Sequence, residues 1–305
     1  MRTLKRLLLA ASMCCLMATA NAAPIDDANA AYDRGDYAQA IKIFRPLAAQ
    51  GNARAQFSLG IMYHNGRGVT QDYQEALKWY KLSANQGHAS AQYNLGVMYR
   101  DGHGVTQDYK EAVKWFRLAA DQGFAEAQFN LGVMYRDGHG VTQDYQEALE
   151  WFRLAAAQGD AEAQSNLGVM YGNGQGVTQD YQEALKWFRL AAAQGNAVAQ
   201  NNIGYMYLNG YGVTQNYQEA VKWYKLSAAQ GNADAQFNLG TMYVAGRGVT
   251  QDDASAHMWF NLASSAGHAV GAKNRDLIVK IMTPQQIEKA QDMARACQAR
   301  NFKGC

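Results

Sequence analysis

Gly159–Gln194 reads GDAEAQSNLGVMYGNGQGVTQDYQEALKWFRLAAAQ. Gly51, Gly87, Gly123, Gly159, Gly195 and Gly231 each open a close copy of this unit, so the period is 36 residues. Gly267 opens a seventh unit, which diverges. Self-similarity at a fixed period of this length marks a stacked array, in which no unit buries its apolar face alone.

Each unit holds two helical halves. Ala163, Leu167, Met170 and Tyr171 fall at i, i+4, i+7 and i+8, which is one face of a helix. Gly168 sits on that helix, as Gly60, Gly96, Gly132, Gly204 and Gly240 do elsewhere. A mid-helix glycine costs up to ~1 kcal/mol relative to alanine. Its recurrence predicts a partner helix that approaches too closely for a Cβ. The second half begins at Asp180, which with Glu183 has the spacing of a capping box. Ala184, Trp187, Phe188 and Ala191 form its apolar face, while Lys186 and Arg189 point to water. Gln194-Gly195 ends the helix, with glycine in the left-handed conformation. Asn196, like Asp160 and Asn232 in other units, then caps the next helix.

The two halves are joined by Gly-x-Gly-Val-Thr-Gln, found twice within RDGHGVTQDY, at Arg100–Tyr109 and Arg136–Tyr145. His103 and His139 give the loop the look of a metal site. The other units place Arg67, Gln175, Tyr211 and Arg247 there, so the segment reads as a turn. The letter between the glycines is free to vary and to touch a partner at the loop tip.

Outside the array, Arg2, Lys5 and Arg6 precede the apolar run Leu7–Met17 and the small-x-small site Ala20-Asn21-Ala22. This is the pattern of a secretory signal peptide, residues 1–22, cleaved after Ala22. It is too short to span a bilayer, and no later run is long enough for a transmembrane anchor. Three of the 28 basic residues leave with it, so 25 remain against 26 acidic ones. That balance gives no reason to expect nucleic acid as a partner. The expected location is periplasmic or secreted. Residues 23–50 fit a shortened first helix pair, Asp26–Arg34 and Tyr37–Gln50, and residues 51–266 hold the six regular repeats. Residues 267–305 hold the diverged repeat and a capping helix, which starts at Thr283-Pro284-Gln285-Gln286 and runs to about Arg300. Cys297 and Cys305 are expected to form a disulfide that fixes the tail, since their spacing suits neither a CxxC pair nor a zinc half-site.

AEAQxNLGxMY, GxGVxQDY and EALKWFRLAAAQG together resemble the Sel-one-like repeat family, relatives of the tetratricopeptide repeat, across Gly51–Ala266. The resemblance implies an all-α fold, a superhelical α-α solenoid, and a scaffold or adaptor role in a bacterial envelope or a secretory complex. It also implies that the first helix of each unit lines a concave groove. One branch of the family is linked to penicillin binding and carries a cysteine pair in each repeat. These repeats contain no cysteine, so that activity is not carried over.

Positions that differ from unit to unit mark the candidate ligand face. They are Arg54, Ser90, Glu126, Glu162, Val198 and Asp234; Phe57, Tyr93, Phe129, Ser165, Asn201 and Phe237; Ile61, Val97, Val133, Val169, Tyr205 and Thr241; and His64, Arg100, Arg136, Gly172, Leu208 and Val244. Their spacing places them on one stripe of the first helix. Beside it run Asn94, Asn130, Asn166, Asn202 and Asn238, with Ser58 at the first turn. This amide row can serve an extended peptide or bond neighbouring repeats. The ring row can likewise be groove surface or inter-repeat core.

An enzyme concentrates a unique constellation at one place, whereas this chain multiplies everything sixfold. It has no H-E-x-x-H, G-x-S-x-G or phosphate-loop lysine. The expectation is a non-enzymatic protein with no cofactor that binds a protein or peptide. The alternatives are a cell-wall polymer such as peptidoglycan, or a host protein engaged by a secreted effector.

Overall fold

The computed structural model describes residues 24–305. The leader pattern at residues 1–22 lies outside them. Every regular element among the described residues is helical, with no strand. The first compact unit, up to Asp144, holds α1 (24–33), α2 (Tyr37–Ala49), α3 (Ala53–Asn65), α4 (Tyr73–Ala84), α5 (Ala89–Asp101), α6 (Tyr109–Ala120) and α7 (Ala125–Asp137). The second, from Tyr145, holds α8 (Tyr145–Ala157), α9 (Ala161–Asn173), α10 (Tyr181–Ala193), α11 (Ala197–Asn209), α12 (Tyr217–Ala228), α13 (Ala233–Ala245), α14 (Asp253–Ser265), α15 (Ala269–Ile278) and α16 (Pro284–Ala299). Within each unit, neighbouring helices pack in chain order, first against second within a repeat and second against the next repeat's first. This is the α-α solenoid arrangement.

The caps follow the sequence. Asn52, Asp160, Asn196 and Asn232 accept from the backbone three residues on and start α3, α9, α11 and α13. Each of these helices ends on a left-handed glycine, such as Gly174 at φ 68°. Asp180 accepts from the N–H groups of Gln182 and Glu183 and starts α10. The reciprocal arm of the expected capping box is diverted: Glu183 accepts instead from Lys186 Nζ at 2.7 Å. A full capping box forms at Thr283 and Gln286, with Pro284 in the first turn of α16.

The mid-helix glycines are explained by aromatic rings. A Cβ on Gly168 would lie 2.5 Å from the Phe188 ring, and one on Gly204 would lie 2.7 Å from the Tyr224 ring. The second glycine of each turn meets the preceding repeat. A Cβ on Gly104 would lie 2.5 Å from the Tyr73 carbonyl oxygen, and one on Gly212 would lie 2.7 Å from that of Tyr181.

Consecutive repeats are joined by a buried glutamine in each first helix. Gln56, Gln92 and Gln128 donate at 3.1 Å to the carbonyls of Ala48, Ala84 and Ala120, at the end of the preceding helix. Gln164, Gln200 and Gln236 do the same with Ala156, Ala192 and Ala228. Their own carbonyl oxygens accept from the glutamine that closes the same repeat, as Gln56 does from Gln86 at 2.7 Å and Gln164 from Gln194 at 2.9 Å. At Gln236 the place of that donor is taken by Ala266, and the Gln236 Oε1 atom is buried without a partner.

The array stops at α14, whose outer face has turned apolar. Ala254, Met258 and Leu262 stand where α10 has Gln182, Lys186 and Leu190. The equivalent Leu190 is 51% exposed, whereas Leu262 is 1% exposed and packs in one cluster with Ala294 and Cys297 of α16. The tail is then fixed by the Cys297–Cys305 disulfide, with Cα atoms 5.7 Å apart.

Gly168→Ala lowers the thermal midpoint, because overpacking against Phe188 costs about 1–3 kcal/mol against a helix-propensity gain of about 1 kcal/mol. Gly172→Ala leaves the midpoint unchanged or raises it, because its Cβ would meet only Ala184 at 3.8 Å. Reducing the disulfide, or Cys305→Ser, destabilises the C-terminal cap by about 2–3 kcal/mol, read as earlier hydrogen exchange of α16 than of α10.

Candidate partner-binding face

The varying residues lie on one side of the first-position helices, but the structure gives the rows different roles. Arg54, Glu126, Glu162, Val198 and Asp234 are exposed. The ring row is half-buried and reaches the next repeat. Phe57 stacks on His88 at 4.7 Å, Tyr93 meets Phe124 at 5.2 Å, and Phe237 stacks on His268 at 4.5 Å. His88, Phe124 and His268 all occupy the N-cap of the following helix. Phe129 is half-buried in the same row.

The amide row is largely engaged inside the protein. Asn130 donates to the Glu126 carbonyl at 2.7 Å and accepts from Arg100 Nη1 at 2.6 Å. Asn166 donates to the Glu162 carbonyl at 2.9 Å. Asn238 donates to Asn201 Oδ1 at 3.0 Å, and Asn94 faces the Tyr80 hydroxyl. The Asn202 side chain makes no hydrogen bond among the described residues.

The last row guards the slot between a first helix and its successor. His64 turns its ring edge to Tyr73 at 5.1 Å. Arg100 forms a two-pronged pair with Asp101 at 2.7 and 2.9 Å, and Arg136 pairs in the same way with Asp137. The paired guanidinium holds each of these carboxyls below the usual range. Repeat four has only Gly172 at this position.

Comparison with known proteins agrees with this architecture. The Sel1 repeat family matches seven times, at residues 31–52, 53–88, 89–124, 125–160, 161–196, 197–232 and 233–268. The chain belongs to the Sel1 repeat family. A Sel1 repeat protein of Oxalobacter formigenes with a solved structure is 38% identical, over 79% of this chain and 99% of its own, with a TM-score of 0.70. A protective antigen of uropathogenic Escherichia coli displaying an SLR fold is 28% identical over 92% of each chain, with a TM-score of 0.44. No curated protein matches the sequence.

Two features of these Sel1 repeats depart from the sequence reading. Arg189 does not simply face water, because its guanidinium reaches the Tyr207 hydroxyl of the next repeat at 3.3 Å, as Arg153 reaches Tyr171 at 2.8 Å. The letter between the turn glycines is also less free than expected. His103 stacks on Tyr73 and His139 on Tyr109, both at 5.0 Å, and Tyr211 stacks on Tyr181 at 4.7 Å. Arg67 and Arg247 lie over Tyr37 and Tyr217 at 5.8 and 5.6 Å. All these occupants are flat, and that shared shape was readable in the sequence. So was the buried glutamine row, an unvarying polar residue on an otherwise apolar face.

Burial holds His64, His88 and His257 below the ordinary imidazole value; the nearby His103 and Arg54 add to the effect at the first two and Arg275 at the third. The fold therefore prefers them neutral. Their contribution to stability is complete above the unfolded value of about 6.5 and is lost as pH falls through the lower folded values. Thermal melts taken from pH 7.5 down to 5 should show a falling midpoint, with a shallower fall in His64→Leu, which copies Leu208.

Proposed function

We propose that this chain is an exported, non-enzymatic scaffold that holds a protein or peptide segment along the varying stripe of its first-position helices. One observation carries the reading. In a chain whose packing positions repeat almost unchanged, this stripe changes from repeat to repeat and presents apolar side chains to solvent. Val198 is 47% exposed, Tyr205 48% and Val244 41%. Apolar atoms without a packing role gain free energy when a partner covers them.

In the first compact unit, the same stripe carries the half-buried rings of Phe57, Tyr93 and Phe129 and the aspartate-paired guanidinium groups of Arg100 and Arg136. The resemblance to tetratricopeptide arrays supports this reading, because it implies that the first helix of each repeat lines the binding face. Export is supported by the leader pattern and by the disulfide, which persists in oxidising compartments. A scaffold is favoured over an enzyme because equivalent places carry different side chains from repeat to repeat. No described helix is long and apolar enough to cross a membrane.

Photoreactive side chains placed at Val198, Asp234 and Val244 should crosslink to a discrete envelope protein in cells. The same probe at the outward Lys186 and Lys222 should not. Crosslinks confined to the outward positions, or absent from the stripe, would sink the assignment.

A further inference from the structure

The slot left open by Gly172 is a cavity of about 270 Å³ between α9, α10 and α11. Its floor is formed by Gly168, Phe188 and Met206, and its walls by Tyr181, Tyr205 and Tyr211. Tyr211 stacks on Tyr181 and inclines to Tyr205 at 5.8 Å, so three neighbouring rings border the cavity.

The repeat two units earlier shows what normally occupies this place. There Arg100 enters the slot, donates to Asn130 and is neutralised by Asp101. In the open slot the three equivalent residues are Gly172, Asn202 and Asn173. The plug and its counter-charge have been removed together, while the amide that received the plug has been kept. The Asn202 side chain lines the cavity and has no hydrogen-bond partner, and Asn173 and Gln179 supply further amides. Gln179 already donates to the Gly172 carbonyl at 2.7 Å and to the Tyr181 hydroxyl at 3.1 Å, which leaves its carbonyl oxygen to accept. No charged side chain lines the cavity.

We propose that this cavity binds a neutral pyranose sugar. A charged guest would give up part of its hydration and find no counter-ion in the lining. A purely apolar guest would leave those amides unpaired. A sugar ring satisfies both kinds of surface, with its C–H face on the tyrosines and its hydroxyls on donors and acceptors of Asn202, Asn173 and Gln179. An extended peptide fits less well, because the amide row it would follow is committed at Asn130 and Asn238 and uncommitted at Asn202. The volume suits one ring rather than a drug-sized ligand of about 300–1,000 Å³. The site shares Gly172, Val169 and Tyr205 with the partner stripe, but sugar binding is read on the purified chain and partner capture by crosslinking at Val198, Asp234 and Val244, so the two can fail separately.

The test is saturation-transfer NMR on the full chain with triacetylchitotriose, cellotriose and maltotriose, alongside trigalacturonate and an Asn/Gln-rich peptide. At least one neutral trisaccharide should show ring-proton transfer. That signal should vanish in Gly172→Leu, which copies the plug residue Leu208 and whose folding is checked by circular dichroism. Tyr205→Ala, a change at an exposed ring, should weaken binding about tenfold whether or not the leucine variant folds. The proposal is overturned by silence from all neutral sugars, or by a signal that survives both variants. Equal binding of trigalacturonate would overturn the neutrality argument, and binding of the peptide in place of the sugars would reassign the cavity to a side chain.

Discussion

The fold depends on an aromatic ring laid against a glycine. In each pair where Phe or Tyr of the second helix meets the mid-helix glycine of the first, the two axes come closer than any side chain would permit. The glycine gives up helix propensity, and the ring recovers more through dispersion contacts on a surface with no Cβ to hold it off. Tyr80 and Tyr224 show how tight this contact is, since burial pushes both phenols well above their ordinary range. With the pair spacing set, the turn falls at a fixed place, and its second glycine can rest on the preceding repeat's carbonyl.

Cohesion between repeats is polar as well as apolar. The buried glutamine donates to the preceding repeat and accepts from the end of its own, so each junction before the last contains a satisfied amide relay inside an apolar interface. Arginine–tyrosine contacts and the flat residue of each turn add a second layer nearer the surface. These contacts join only nearest neighbours, which is why stability in such arrays is a sum of local terms.

Much of this was legible in the sequence, and the reasons are physical. Helix limits, caps and the glycine approach follow from local patterns that the chain states six times over. The tail pair Cys297 and Cys305 and the start at Thr283 were equally plain. What the sequence left open were contacts made 30 or more residues away, such as Arg100 to Asn130 or Gln86 to Gln56. A row of arginines reads as solvent-facing until the tyrosine one repeat on is placed beside it. The cavity was hidden for a different reason. It consists of one missing side chain, and Gly172 in a glycine-rich turn region draws no attention until its equivalents His64, Arg100 and Leu208 are set against it in space.

RDGHGVTQDY occurs twice, and the contacts on either side of each copy are drawn from the same set. A recombination event that removes or adds one whole unit would join surfaces already adapted to each other. The terminal helix α16, which packs on the apolar outer face of α14, would be untouched. The gene can therefore lengthen or shorten its product in steps of 36 residues without redesigning an interface. The reach of the molecule is thus open to selection separately from its stability.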